Sequence, residues 1–450
     1  MEITVLHSRA ALLSRSRAAH VALLALPFVV VVIAFRGLSH GFPVYQAGDE
    51  IVHAQIVASV AHIWPRPILS GYYAWSGPFV YWLLATLALP FGASLMVVRL
   101  VVATLSWATC VTAYVILRDR LGAPPRIAFA FALMLAVSAF FFGESFRVLT
   151  DNPTWLFVAL ALERVLAFSQ DPRTGRLMAF ALFAAAATTM RQVSVWLFLP
   201  GMLAVLSAPL SARRRLADLG ILALGLMPLV AVLAYWGGPL PPGTGGAITY
   251  DGVARLRNLL LSLAVTGLYG GLLLPAAELR ATPLRLGRRG VVAIVSAVGA
   301  SLIALGLHVM LSLPGAQTLG MGLLARSSVW YPALEGTSVI WWLLVPLGAA
   351  VVAYLLYART SRPTDRVLVT ALVAVLLSAA LNATWYQRYV DFPILLILAA
   401  LAVSAHVEFH FLDRFRWVIV VALSLAWTML FALAYFLPTE LHSRATSCSQ

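Results

Sequence analysis

Apolar runs close to the length that crosses a hydrocarbon core of roughly 30 Å recur along this chain from Val21 to Leu437, and no polar stretch between them is long enough for a separate water-soluble domain. The expectation is one polytopic, all-α transmembrane bundle spanning residues 1–450. Composition agrees, since 62% of the residues are hydrophobic and 11% charged, a balance that a soluble domain of this size does not keep off its surface.

The formal net charge is +14, but the cations sit in short clusters between apolar runs and not along one face. That pattern sets membrane topology and excludes nucleic acid as a partner. Every cationic side chain is arginine, which with abundant alanine points to a GC-rich bacterial genome. The two cysteines, Cys110 and Cys448, are too few and too far apart for a disulfide framework or a cysteine metal site. Met1 to Phe35 has a basic start and an apolar core without a prompt cleavage pattern, so it reads as an uncleaved first span.

Hydropathy places spans near 21–35, 94–117, 127–142, 153–168, 177–190, 193–208, 216–236, 259–277, 291–312, 338–357, 367–383, 392–405 and 417–437, about thirteen in all. Alternating them from a cytoplasmic N-terminus gathers the arginine groups Arg9/Arg15/Arg17, Arg118/Arg120/Arg126, Arg173/Arg176, Arg213 to Arg215, Arg280/Arg285/Arg288/Arg289, Arg359/Arg362/Arg366 and Arg414/Arg416 on the inner side. The same rule demotes the short run Phe79 to Leu89 to an interfacial or half-buried helix. Residues 36–94 then form one long extracytoplasmic loop, with a helix near Ile51 to Ile63 and a Trp/Tyr-rich part suited to the headgroup boundary. Residues 237–258 and 314–337 are further outer loops, and all inner loops are short, so the chemistry is expected outside, at a bacterial inner membrane facing the periplasm.

Acids are scarce, and Gly48-Asp49-Glu50 puts two of them early in the first outer loop, with His53 about one turn later. A carboxylate within hydrogen-bond reach of a hydroxyl takes its proton as a new bond forms to the oxygen. Asp49 or Glu50 fits that role, Asp49 being favoured; the plainer reading is that Asp49 caps a helix starting near Ile51. Glu144, Arg147 and Asp151 form a second outer cluster, with Asp151 the best second acid or, equally, the cap of a Thr-Asp-Asn-Pro helix start. Arg191 and Gln192 lie between two short apolar runs, where an arginine needs an anion such as a phosphate, or else an ion pair with Asp151. Arg388 and Tyr389, in Trp385-Tyr386-Gln387-Arg388-Tyr389, are a second phosphate candidate or part of an aromatic belt. Arg326, Trp330 and Tyr331 are weaker candidates to cover a ligand. His40, His53 and His62 are too scattered to propose zinc, His308 reads as a packed bundle histidine, and no phosphate loop or dinucleotide fingerprint is present.

One span, an acidic pair early in a long outer loop and then Gly77-Pro78-Phe79-Val80-Tyr81-Trp82 resemble the GT-C superfamily of integral membrane glycosyltransferases. Within it the sequence is most similar to the alpha-1,2-glucosyltransferases that use dolichyl-phosphate-glucose. The likeness rests on Asp49-Glu50 with His53, Thr150-Asp151, Met190-Arg191-Gln192 before Trp196, Gly237-Gly238 with Gly243, and Arg388-Tyr389 before Pro393. Aspartate at 151 replaces a family glutamate, and the family's later histidine-rich segment has no counterpart. The resemblance implies a GT-C bundle and an inverting transferase that moves a hexose, glucose or mannose, from a polyprenyl-phosphate sugar to a hydroxyl on a glycan, lipid or protein of the envelope. It implies the first-loop acid, Asp49 or Glu50, as base; with the residue reading above, His53, Asp151, Arg191, Gln192, Arg388 and Tyr389 are expected to bind substrate. No cofactor is expected beyond the lipid-linked sugar as co-substrate; a divalent metal stays open. The competing class is a transporter or lipid flippase of envelope precursors, which would move substrate without covalent change and place charges at mid-span; here the acids crowd the outer loops.

Overall fold

The structure is a computed structural model that describes residues 17–37, 49–72, 74–242, 252–274, 276–311, 339–382 and 388–406. Among these residues there is no β-strand. In chain order the helices are α1 Leu26–Gly37, α2 Asp49–His62, α3 Pro78–Ala88, α4 Leu95–Val115, α5 Pro125–Ala136, α6 Ala139–Glu144, α7 Asp151–Gln170, α8 Thr174–Met190, α9 Phe198–Ser207, α10 Ala212–Trp236, α11 Gly252–Leu273, α12 Ala276–Leu311, α13 Val339–Ala358, α14 Pro363–Leu381 and α15 Arg388–His406. The expected span 417–437 and the loop 314–337, with Arg326, Trp330 and Tyr331, lie outside the described residues.

Among the described residues, six helices are long and apolar enough to cross a membrane: Leu95–Arg120, Ala212–Trp236, Arg255–Leu273, Gly287–Leu307, Ile340–Ala358 and Pro363–Leu381. Shorter apolar helices pack among them, and the chain is an integral multi-pass membrane protein. Three expected spans are not single helices, the first being 21–35, which turns at Leu24 and Ala25. The run 127–142 breaks at Val137 and Ser138, where the Ser138 hydroxyl donates to the Leu135 carbonyl at 3.0 Å and local pairing replaces the ladder. The run 193–208 opens as a 3₁₀ turn, Gln192–Leu197, because Arg191 before it is extended at φ −140° and ψ 115°.

Contacts gather the starts of α4, α7 and α15 and the ends of α8 and α10 at one end of the bundle: Arg99 pairs with Glu50, Arg191 pairs with Asp151 and stands over Tyr389, and Val98, Met190 and Trp236 share one apolar cluster. The arginines of the groups 118/120/126, 173/176 and 359/362/366 collect at the other end, where Arg120 pairs with Glu163 at 2.6 Å and Arg359 with Asp365 at 3.0 Å. Helix α15 is buried at every residue from Val390 to Ser404 and forms the hub, whereas α10 presents long side chains such as Leu216 and Leu224 outward, as a helix bathed in lipid does. Glycines set the closest crossing: a Cβ on Gly348 of α13 would lie 1.9 Å from the Leu263 carbonyl oxygen of α11, and one on Gly267 would lie 2.1 Å from the Leu344 oxygen.

A second apolar cluster joins the first-loop helices to the site end. Val57 and Val60 of α2 and Tyr81, Leu84 and Ala88 of α3 pack with Val98 and Val102 of α4, Met190 of α8 and Trp236 of α10. The eleven-residue α3 starts with Pro78 at its first turn and buries one face, 81/84/85/88, as expected of a half-buried helix too short to span. The strand-like stretch before it is tied down by backbone: the Gly77 amide donates to the Met190 carbonyl at 2.8 Å, and a Cβ there would sit 1.9 Å from the Thr189 oxygen. Trp236 Nε1 donates to the Leu69 carbonyl at 2.6 Å on the same side.

Candidate functional site

Arg191 is the centre of the site. Helix α8 ends one residue earlier, and the extended backbone at 191 turns its guanidinium towards the head of α7, where Nη1 donates to the Asp151 carboxylate and, at 3.3 Å, to the Thr150 hydroxyl. The Arg191 Cζ stands 3.9 Å from the centre of the Tyr389 ring, which α15 delivers from its first turn. A cation clamped between a carboxylate and an aromatic face is held in one orientation. Thr150 is itself fixed by Ser76 at 3.1 Å, so the segment before α3, the head of α7 and the end of α8 form one unit.

A cavity of about 390 Å³ opens in front of this guanidinium. Its polar side carries Arg191, Gln192, Ser378 and Asn382, with Trp75 and Tyr389 as aromatic walls. The remainder is apolar, with Val195 and Leu199 on one side and Leu377 and Leu381 of α14 on the other. These four side chains are exposed on the outside of the bundle, and Leu381 is 66% accessible. One chamber thus offers a cationic head and an aliphatic rim, the shape of a site for an amphiphile with an anionic group.

Of the residues singled out from sequence, Arg191, Gln192 and Tyr389 line this cavity. Asp151 does not; it is 1% exposed behind Arg191 and orients it. His53 turns to α3, where its Nδ1 meets the Tyr81 hydroxyl at 2.8 Å with the rings stacked, so the structure puts it in the seam between α2 and α3. Asp49 is the first residue of α2 and Arg388 the first of α15, and the side chains of both lie outside what the structure describes.

Glu50 is held in a separate arrangement. Its two carboxylate oxygens each accept from Arg99, Nε and Nη2 both at 2.8 Å, and Oε1 also accepts from the Val148 amide at 3.0 Å. Burial raises the carboxyl pKa, but the Arg99 and Val148 hydrogen bonds and the charges of Arg99 and Arg147 outweigh it and leave it lowered. A carboxylate so occupied is a poor proton acceptor. Glu144, of the second outer cluster, is buried and borders the same narrow space as Asp151, Asn152 and Asp391.

Sequence reasoning missed Arg99, Trp75 and Asp391. Arg99 was legible by the same rule that flagged Arg191, since a guanidinium in an apolar span needs an anion; it lies four residues into α4. Asp391, which accepts from the Tyr269 hydroxyl at 2.6 Å, falls under that rule as an acid at the mouth of an apolar run. Nothing in its neighbours marks Trp75 out from the other aromatics of the first loop. Among the described residues, no group of three or more His, Cys, Asp or Glu is placed to hold a metal ion.

Residues 76–236 match a family described as dolichyl-phosphate-mannose-protein mannosyltransferase. The match takes in α3 to α10 and with them Arg99, Asp151 and Arg191, but not Asp49 and Glu50. A solved structure of ArnT from Cupriavidus metallidurans in the apo state is similar over 84% of this chain and 77% of its own length, with 15% identity and a TM-score of 0.37. No curated protein matches the chain.

Proposed function

We propose that this protein is an inverting glycosyltransferase that moves a hexose from a polyprenyl-phosphate donor to an acceptor hydroxyl on the extracytoplasmic side of a bacterial inner membrane. One observation carries the reading: a buried arginine, clamped by Asp151 and Tyr389, forms the head of a cavity whose rim is exposed aliphatic side chain. A lipid phosphate fits it, with its charge on the guanidinium and its isoprenoid tail over Val195, Leu377 and Leu381. The matched family, whose description names a dolichyl-phosphate-linked sugar, supports that class of donor and adds weight to mannose as the hexose.

In this reading Asp49 is the base. The acceptor oxygen attacks the anomeric carbon as its proton passes to the Asp49 carboxylate; the bond from that carbon to the phosphate oxygen breaks, and the phosphate leaves with the electron pair towards Arg191. Glu50 is committed to Arg99, which favours its neighbour for the proton. Gln192 and Tyr389 line the sugar-phosphate end, and Arg388, the residue before Tyr389 in sequence, is the proposed second phosphate ligand. The acceptor, a glycan, lipid or protein, enters from the aqueous side.

The test is incubation of the purified protein with radiolabelled polyprenyl-phosphate-mannose or polyprenyl-phosphate-glucose and envelope extract. Label transferred to acceptor with release of polyprenyl phosphate, abolished in Asp49→Asn, is the expected result. Movement of intact donor across vesicles without cleavage would instead establish a flippase.

A further inference from the structure

We infer that Arg99 is a positioning residue for the attacking side of the site, acting through Glu50 on the helix that carries Asp49; the inference rests on the transferase reading above. The guanidinium of Arg99 is 6% exposed on a face of α4 that otherwise packs Val98 and Val102. Its Nε and Nη2 both donate to one carboxylate, that of the second residue of α2, at 2.8 Å each. The same carboxylate accepts the Val148 amide at 3.0 Å, two residues before Thr150 and three before Asp151. Three elements thus converge on Glu50: the head of α2, the first turns of α4 and the segment that leads into α7.

A bidentate fork fixes both distance and plane, and so fixes the direction in which the first turn of α2 points. Asp49 is one peptide away. Arg191 takes its orientation from a different set, Asp151, Thr150 and Tyr389. The two halves of the site are therefore held by different side chains that share only the segment 148–151, and loosening the Arg99 fork, with the Val148 bond kept, displaces the base more than the phosphate end. Reacting groups must be held within a fraction of an ångström, and a misplacement of about 1 Å costs on the order of 100-fold in rate. A purely structural latch would lower stability and donor binding together.

The experiment uses the full-length protein in nanodiscs, with labelled polyprenyl-phosphate-hexose as donor and polyprenyl phosphate itself as the binding probe. Two variants are made: Arg99→Lys, which keeps the charge but loses the fork, and Glu50→Gln, which keeps the shape but loses the charge. Expected for both is a fall in kcat of about 100-fold with donor KM and polyprenyl phosphate Kd within about threefold of wild type. Full kcat in folded Arg99→Lys and Glu50→Gln overturns the inference and leaves the transferase reading standing. A matching loss of Kd and kcat also overturns it, by making the pair a general prop. No transfer by the wild-type protein overturns the transferase reading, and this inference with it.

Discussion

Removing the charge of Arg191 gives a prediction in which stability and activity separate. Asp151 is 1% exposed and Arg191 9%, so their pair is out of water on both sides. Arg191→Gln leaves a carboxylate buried without its cation, a defect that costs about 3–5 kcal/mol. Changing Asp151→Asn as well removes both charges, so no uncompensated buried charge is left and most of that cost is expected to be regained. Thermal unfolding followed by tryptophan fluorescence in detergent reads the stability of each variant. The double variant is expected to recover most of the lost midpoint, since the coupling between adjacent residues is large and of opposite sign to the single losses. Transfer from polyprenyl-phosphate-hexose behaves differently, because a neutral amide offers a leaving phosphate a hydrogen bond but no positive charge. A lost oxyanion partner costs about 10²–10³ in kcat, and the double variant is expected to stay at that level despite its regained midpoint. Recovery of both midpoint and rate in the double variant would refute the argument and reduce Arg191 to half of a structural pair.

Three further outcomes follow from the packing and electrostatics. Gly77→Ala places a Cβ 1.9 Å from the Thr189 oxygen, which forces the first-loop segment off the end of α8; a destabilisation of about 1–3 kcal/mol and a marked loss of transfer are expected, measured by thermal melting and label transfer, with an unchanged melt ruling out the contact. Gly348→Ala meets the Leu263 oxygen of α11 at the same 1.9 Å and is expected to lower the melting temperature by a similar amount without a specific change in donor KM, as kinetics on the folded fraction will report. Glu50 has its pKa lowered from 4.5, so its ion pair contributes fully above that ordinary value and loses its contribution as pH falls through the folded one; the difference in melting temperature between wild type and Glu50→Gln is expected to be flat above about pH 5 and to shrink on acidification, and a constant difference down to low pH would contradict it.

Much of the helix order was legible because lipid permits little else: 94–117, 216–236, 338–357 and 367–383 correspond to α4, α10, α13 and α14 with ends displaced by a few residues. What hydropathy does not see is a break whose polar groups are satisfied locally, as at Ser138, whose hydroxyl bonds to the preceding turn inside the expected run 127–142; the break at Arg191 was legible, because the runs 177–190 and 193–208 stop on either side of it, and its extended residue keeps its amide on the Ala187 oxygen at 2.9 Å. At the site, Arg191 and Asp151 were readable because isolated charges in apolar surroundings must find each other, and the ion-pair alternative weighed for them is the one the geometry contains. Glu50 was readable as an acid but not as the partner of Arg99, because 49 residues of chain separate them and only the packing of α2 and α3 against α4 closes that gap. His53 was read as part of the same chemistry for its spacing; its contact with Tyr81 depends on the register of α3, which spacing along α2 cannot supply.

The exposed leucines at the mouth of the cavity alter how concentration is to be counted. A ligand that slides in over Leu199, Leu377 and Leu381 arrives by diffusion in two dimensions, and its occupancy is governed by its mole fraction among neighbouring lipids, not by moles per litre of buffer. Adding inert detergent or phospholipid at fixed donor then dilutes the surface and lowers turnover, while doubling the reaction volume at fixed lipid-to-donor ratio leaves it unchanged.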